Sequence, residues 1–365
     1  MKKRKERIAI LTGGGDCPGL NAVIRAVTKK AILEQEMEVI GIEDGYDGLI
    51  HNRHRHLTYN DVSSILNQGG TILGTSNRAN PYQYPVGTGK NATFADVSGT
   101  VIKHIKTLGI SCLICIGGDG TLSIAHRLSN QGIPIVGVPK TIDNDIRGTD
   151  ISFGFDSAVS ICTNAIDHLH STAQSHHRVM IVEVMGRTAG WIALHSGIAG
   201  GGDVILLPEI PYDLNAITTV VKARSRKGRR FSIIVVAEGA KPDGGQVVIQ
   251  RHVQDGVIPV RLGGIGFALG EQIENQSGME TRAVVLGHLQ RSGPPTAFDR
   301  ILGTRLGCEA VTMITEKKFG FMVGVKGNRL CRTPLETIAK GPRHVPQKHA
   351  LIGAAESLGT CFGRT

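Results

Sequence analysis

Aromatic residues make up only 4% of this 365-residue chain, and Trp191 is its single tryptophan. The core must therefore be built mostly from aliphatic side chains. The same scarcity argues against a groove for single-stranded nucleic acid, in which aromatic faces alternate with basic residues. Two basic clusters, KKRKER at 2–7 and KARSRKGRR at 222–230, contain no aromatic residue, and no nucleic-acid motif surrounds them. The first reads as a solvated arm and the second as a turn between helix and strand. No apolar run reaches membrane-spanning length, and IAIL at 8–11 is too short for a secretory signal. Seven cysteines at irregular spacing make no disulfide framework and point to a reducing, cytoplasmic setting. Cys112 and Cys115 form a CxxC, but SCLICI reads as a buried strand in which positions three apart face opposite sides. HNRHRH, with His51, His54 and His56, lacks a metal-ligand spacing.

Glycine, by contrast, is abundant at 48 residues, and apolar residues reach 41%. The length exceeds what one core usually serves, so two domains are expected. Lys and Arg number 41 against 31 Asp and Glu, a net charge of +10 that favours anionic partners. Short apolar strands alternate with helical periods: Ile8–Leu11, then a helix with Leu20, Val23, Ile24, Val27 and Ala31 on one face, then Val39–Ile42. Later, 111–116, a helix from about Thr121 to Asn130, a stop at Gly132 and 133–138 form a βαβ unit. Strands are also expected at 178–184, 204–210, 231–239 and 282–288, with IENQSGMETR (273–282) as a loop. This is an α/β pattern with mainly parallel sheets. The stretch after Gly341 has weak periodicity and no assigned role.

Ligands of such sheets bind beyond the carboxyl ends of strands. Three loops there carry the relevant chemistry. LTGGGDCPGLNA (11–22) frees backbone N–H groups to approach an anion at a helix start, or is simply a tight turn. ICIGGDGTLSIAH (115–126) leaves room for a large anion beside Asp119, a carboxylate suited to Mg²⁺, while Thr121 caps the helix or joins the anion site. PKTIDNDIRGTD (139–150) gathers Lys140, Thr141, Asp143 and Asp145. In-line phosphoryl transfer needs a base, a metal carboxylate and cations of this kind. If the segment is extended, both aspartates project to one face; the plain alternative makes one of them a turn residue.

Taken in order, GGGDCPGLNAVIR, GGTILGTSNR (69–78), IGGDGT, PKTIDNDIRGTD, VEVMGR (182–187), IAGG (198–201), AEG (237–239) and ETRAVVLGHLQRSGPP (280–295) resemble the phosphofructokinase family. The resemblance runs from residue 8 to about residue 303. It implies two Rossmann-like three-layer domains with the active site in the cleft between them. Residues 1–154 plus 290–340 would form the larger, ATP domain, and 155–289 plus 341–365 the smaller, fructose 6-phosphate domain. The implied reaction moves the γ-phosphoryl of ATP, with Mg²⁺, to the 1-hydroxyl of fructose 6-phosphate, a step of glycolysis.

Residue by residue, the resemblance makes Asp143 the general base, with Thr141 and Asp145 beside it. Asp119 is the metal carboxylate. Gly15, Tyr46, Gly120, Thr121 and Lys140 belong to the donor site, and Arg78 and Arg187 neutralise the transferring phosphoryl. Arg178, Arg282, His288 and Arg291 grip the 6-phosphate, Arg178 and Arg282 reaching in from a neighbouring subunit of a homotetramer. Met185 and Glu238 contact the sugar. An anionic allosteric effector would meet Arg25, Lys29, Lys227, Arg229 and Asp203, although Tyr59 and His170 stand where bacterial members often have Arg. Plainer readings exist: His288 as a core histidine, Arg187 in a surface ion pair, Glu238 at a helix start.

Two departures bear on this. GGTILGTSNR is one residue longer before Arg78 than in common bacterial members. Lys140 replaces the Gly of ordinary ATP-dependent bacterial members and is typical of pyrophosphate-dependent ones, whereas Gly120 is the residue of ATP users. ATP is the expected donor, and pyrophosphate dependence or a non-catalytic regulatory subunit are the alternatives. Neither nucleic acid nor membrane is an expected partner.

Overall fold

The computed structural model describes residues 5–87, 93–252 and 260–364, so the beginning of the basic stretch at 2–7 lies outside the described residues. In chain order the strands are β1 (Arg7–Thr12), β2 (Glu38–Ile42), β3 (His54–Leu57), β4 (Tyr84–Val86), β5 (Thr93–Ala95), β6 (Cys112–Gly117) and β7 (Ile135–Pro139). They continue with β8 (Val179–Val184), β9 (Val204–Leu206), β10 (Ser232–Ala237), β11 (Ile249–His252), β12 (Val260–Leu262), β13 (Thr281–Val285), β14 (Phe321–Lys326) and β15 (Arg329–Pro334). Two compact units result. One comprises Met1–Ile142, Ile146–Asp156 and Arg291–Gly341; the other comprises Asp143–Asp145, Ser157–Gln290 and Pro342–Thr365.

The first unit is built on a seven-stranded sheet in the order β15-β14-β7-β6-β1-β2-β3. Its five inner strands are parallel, and β3 and β15 pair antiparallel at the edges. Every residue of CLICIG in β6 is buried, because helices cover both faces and leave no side for polar alternation. One face is covered by the helices Ser98–Thr107 and Asp119–Asn130, whose Val101, Ile105, Leu122 and Leu128 pack with Leu113, Cys115 and Ile135. From β1 the chain crosses to β2 on one side, while β6 and β7 lie on the other. The order therefore reverses between β1 and β6, the place where open α/β sheets form a ligand crevice.

The second unit carries a four-stranded, fully parallel sheet in the order β13-β8-β10-β9. Helices Leu214–Arg226 and Ile265–Ser277 pack on it through Ile217, Val221, Ile265, Leu269 and Ile273. Two sequence expectations are corrected here. IENQSGMETR is a loop only in its middle: Ile273 follows Leu269 by four and continues the helical period to Ser277, and Gly278 at φ 71° ends it. The strand expected over 204–210 stops at Leu206, because Ile210 N–H turns back to Leu207 O at 3.2 Å. The C-terminal stretch contains a helix, Ala350–Ser357, and a bridge between Cys361 and Val204.

One buried charge in this unit was not anticipated. Glu183, the penultimate residue of β8, is 2% exposed, and its carboxylate accepts the N–H groups of Gly264 at 2.9 Å and Gly266 at 2.8 Å. These are otherwise unpartnered donors at the start of the helix Ile265–Ser277, where a negative charge is also favoured by the helix dipole. Glu183→Ala is expected to lower the unfolding free energy by about 3 kcal/mol, since two charge-assisted bonds go and buried N–H groups are orphaned. Urea denaturation would read that loss.

Candidate active site

The two glycine loops sit side by side at the reversal point of the first unit. Thr12 and Ile116 are paired at the ends of β1 and β6, and Gly13 N–H donates to Ile116 O at 2.9 Å. The helix after β6 begins at Asp119, two residues earlier than expected, with Gly118 at its N-cap. Thr121 is therefore inside the first turn rather than a cap. Its buried side chain fills the space between the loops: a Cβ on Gly13 would lie 2.7 Å from Thr121 Oγ1, and one on Gly117 2.3 Å from Thr121 Cβ. Glycine at both positions is what lets the strand ends close on this threonine. Asp119 and Gly120 are exposed in that first turn, and Gly120 N–H donates to Asp119 Oδ1 at 2.7 Å. The third strand end joins through Lys140, which is 4% exposed. Its N–H donates to Gly117 O at 3.0 Å, and its ammonium donates to Gly15 O. Lys140 thus ties the ends of β7, β6 and β1 together, a structural duty independent of the donor's identity.

Two of the expected site residues have partners within the first unit. Tyr46 was assigned to the donor pocket, but it is 3% exposed; its hydroxyl donates to Thr121 O at 2.9 Å, and burial pushes its pKa well up. An aromatic ring at the start of a helix beside a strand end packs into the aliphatic core. Arg291 was grouped with the 6-phosphate cluster. Its guanidinium instead donates to Asp16 O at 3.1 Å and lies where a Cβ on Gly15 would meet it at 2.5 Å. It therefore lies against the first glycine loop. Arg78 is exposed, its N–H turned onto Ser76 Oγ at 3.3 Å. The CxxC carries no redox chemistry: Cys112 and Cys115 are buried on β6, and burial pushes the Cys115 thiol up to about 12.

The carboxylate segment is not uniformly extended. Thr141, Asp143 and Asp145 are half-buried and alternate with buried Ile142, Asn144 and Ile146, the pattern of a shared face. Asn144, however, adopts φ 52°, so the face is made by a left-handed residue between the aspartates rather than by a strand. Asp143 and Asp145 group with the second unit and Thr141 with the first.

In the second unit the remaining residues fall at the two ends of one sheet. Met185 follows β8, Glu238 follows β10, and exposed His288 lies in the 3₁₀ turn Gly287–Arg291 after β13. Arg187 is exposed two residues beyond Met185. Exposure removes the core reading of His288, and no helix starts at Glu238. Gln290, fully buried, fixes this end: its Oε1 accepts Met185 N–H at 3.0 Å and its Nε2 donates to Gly287 O at 3.1 Å. Arg178 immediately precedes β8, and Arg282 is the second residue of β13. They share Glu280, at 2.7 Å from Arg178 Nε and in a close contact with Arg282 Nη2. The bond from Arg178 holds the Glu280 carboxyl below its ordinary range. Gln290 and Glu280 both sit inside motifs already singled out, HLQR and ETRAVVLGH, where their flanking Arg and His drew the attention.

Of the effector residues, Arg25 and Lys29 lie on the helix Leu20–Gln35, and Lys29 Nζ stands 3.9 Å from the Tyr59 ring centroid. Lys227 and Arg229 are exposed after the helix Leu214–Arg226. Asp203 pairs with Arg224 at 2.8 Å, a basic residue left out of the sequence assignment, and burial raises its pKa.

Known proteins align with this arrangement. The Phosphofructokinase family profile matches residues 7–314. The chain is 51% identical over 365 residues to "ATP-dependent 6-phosphofructokinase 2" of Clostridium perfringens, covering 99% of this chain and 100% of that one. It is also 49% identical over 341 residues to the "Pyrophosphate--fructose 6-phosphate 1-phosphotransferase" of Amycolatopsis mediterranei, covering 93% and 96%. Among solved structures, phosphofructokinase from Saccharomyces cerevisiae superposes with a TM-score of 0.76 at 31% identity, over 92% of this chain and 45% of the longer yeast chain.

Proposed function

The chain belongs to the phosphofructokinase family, and on that premise we propose that it transfers the γ-phosphoryl of ATP to the 1-hydroxyl of fructose 6-phosphate, yielding fructose 1,6-bisphosphate and ADP. The observation that carries the ATP reading is the open, exposed first turn at Gly120, where nothing lies within 4 Å of a Cβ and a nucleotide has room beside the phosphate loops. Asp143 takes the proton from the attacking hydroxyl, Thr141 orients it, and Arg187 and Arg78 offset charge on the transferring group. Gly15, Gly120, Thr121 and Lys140 bind the donor. Met185, Glu238 and His288 bind the sugar phosphate. A Mg²⁺ ion, when bound, neutralises donor phosphate charge. An exposed carboxylate at Asp119, supported by Asp145, fits an ion that usually takes one or two protein carboxylates and otherwise phosphate oxygens. Seven free thiols favour the cytoplasm. ³¹P NMR of the purified chain with ATP, Mg²⁺ and fructose 6-phosphate should show a second sugar phosphoester growing in step with ADP. Phosphate release without a sugar bisphosphate would overturn the assignment.

The same reading calls for a homotetramer. Arg178 and Met185 flank the six-residue β8, so they stand roughly 20 Å apart at the usual rise per residue. One sugar phosphate does not bridge that span. That separation agrees with the family resemblance, in which the Arg178–Arg282 pair serves the site of a neighbouring copy. Arg282→Ala and His288→Ala chains, each impaired in sugar binding, should regain activity when co-assembled, because about a quarter of mixed sites carry neither change. Absence of recovery in verified hybrids would argue against a shared site. An anionic effector at Arg25, Lys29, Lys227 and Arg229 remains part of the proposal; salt-dependent binding of a nucleoside diphosphate or a carboxylated phosphoester would support it.

A further inference from the structure

The C-terminal segment that sequence reading left without a role grips the carboxylate loop. Arg343 N–H donates to Asp145 O at 2.6 Å, and its guanidinium donates to Asn144 O from Nη2 at 2.8 Å and Nε at 3.3 Å. Two consecutive carbonyls between and at the aspartates are thus held by one residue, at the point where Asn144 turns left-handed with φ 52°. That conformation is uncommon for a non-glycine residue and persists where surroundings over-determine it. Three bonds from Arg343 supply such surroundings.

Arg343 is itself held. Its guanidinium lies 4.3 Å from the Trp191 ring centroid, and Trp191 Nε1 donates to Arg343 O at 2.9 Å. The single tryptophan of the chain therefore holds this arginine at both its guanidinium and its backbone carbonyl. The next residues continue the lacing. His344 Nδ1 is 2.8 Å from Thr188 O, one residue beyond Arg187, and Val345 N–H donates to Glu209 Oε1 at 2.8 Å. Glu209 also accepts Gly190 N–H at 3.1 Å. One short stretch of chain thereby ties the Asp143–Asp145 loop to the loop that carries Arg187.

We propose that Arg343 is a positioning residue, holding the Asp143–Asp145 loop in its working conformation with Trp191 as its support. The proposal rests on the phosphoryl-transfer reading above. Lysine is a poor substitute, because its ammonium is a compact point charge and lacks the planar fork. A small displacement of a base from its near-attack position is enough to cost one to two orders of magnitude in rate.

The test uses the full chain as wild type, Arg343→Ala, Arg343→Lys, Trp191→Phe and Asp143→Ser. Two readouts are taken together: hydrogen–deuterium exchange of peptides spanning 141–147, and steady-state kinetics with ATP and fructose 6-phosphate. Arg343→Ala should speed exchange in that segment about tenfold and lower kcat about thirtyfold, with both KM values within about threefold. Arg343→Lys should recover part of each effect, and Trp191→Phe, which loses the indole donor and part of the ring face, should fall between lysine and wild type. Should the alanine variant not fold, the lysine variant carries the same readouts. Unchanged exchange in folded Arg343 variants overturns the proposal whatever the activity. Faster exchange with unchanged kcat also overturns it if Asp143→Ser is inactive, and the functional reading then stands. If Asp143→Ser is active as well, it is the assignment of the base that fails.

Discussion

Asp143→Ser will lower kcat by about a thousandfold while leaving KM for ATP and fructose 6-phosphate within about threefold, the range expected when a general base is removed and binding groups stay. Asp143 is half-buried between buried Ile142 and Asn144. Serine there keeps a small polar side chain and disturbs no core packing. Steady-state rates from a coupled assay for fructose 1,6-bisphosphate measure the effect. A kcat within tenfold of wild type would remove Asp143 from the role of base. A matching loss in KM alone would make it a binding residue.

Gly120→Asp will cut kcat/KM for ATP by roughly a hundredfold and will leave the fold intact. No atom lies within 4 Å of the new Cβ, and an aspartate in the first turn of a helix is favoured by the dipole. The cost falls on the ligand. A second carboxylate next to Asp119 repels donor phosphates by a few kcal/mol at partial burial, and each 1.4 kcal/mol is a factor of ten. Pyrophosphate, which has no nucleotide to seat beside this turn, should lose less. Thermal melting separates the two effects: an unchanged Tm with lost ATP turnover is the predicted result, and unchanged ATP turnover contradicts the placement of the nucleotide.

How much of this was legible in the sequence depends on whether a residue acts through its neighbours in the chain. The strands β1, β6, β7, β8 and β10 announced themselves as short, almost unbroken apolar runs, and the glycine loops lay at their ends. The reversal of strand order between β1 and β6 was not legible, because it depends on which strands pair rather than on any local pattern. IENQSGMETR reads as a loop because the polar ENQS hides a single apolar anchor at Ile273, which seats the end of the helix Ile265–Ser277 on the core. Tyr46 and Arg291 show another limit. Their bonds to Thr121 O and Asp16 O are long-range in sequence, and no spacing announces them.

Buried polar residues were the least legible of all. Glu183, Gln290 and Lys140 owe their places to backbone groups far away in sequence, at Gly264 and Gly266, at Met185, and at Gly15. A carboxylate or amide in a strand carries no mark of such a partner. Lys140 stands out in the sequence for its charge and its unusual type at that motif position, but its tie to Gly15 does not, and that tie gives it work to do in a chain that uses either donor.

The most direct measurement is the initial rate with fructose 6-phosphate and Mg²⁺, with ATP in one cuvette and pyrophosphate in a parallel one. The account predicts turnover with ATP and little or none with pyrophosphate. Faster turnover with pyrophosphate would contradict it, and would mean that Lys140 rather than the open turn at Gly120 decides the donor.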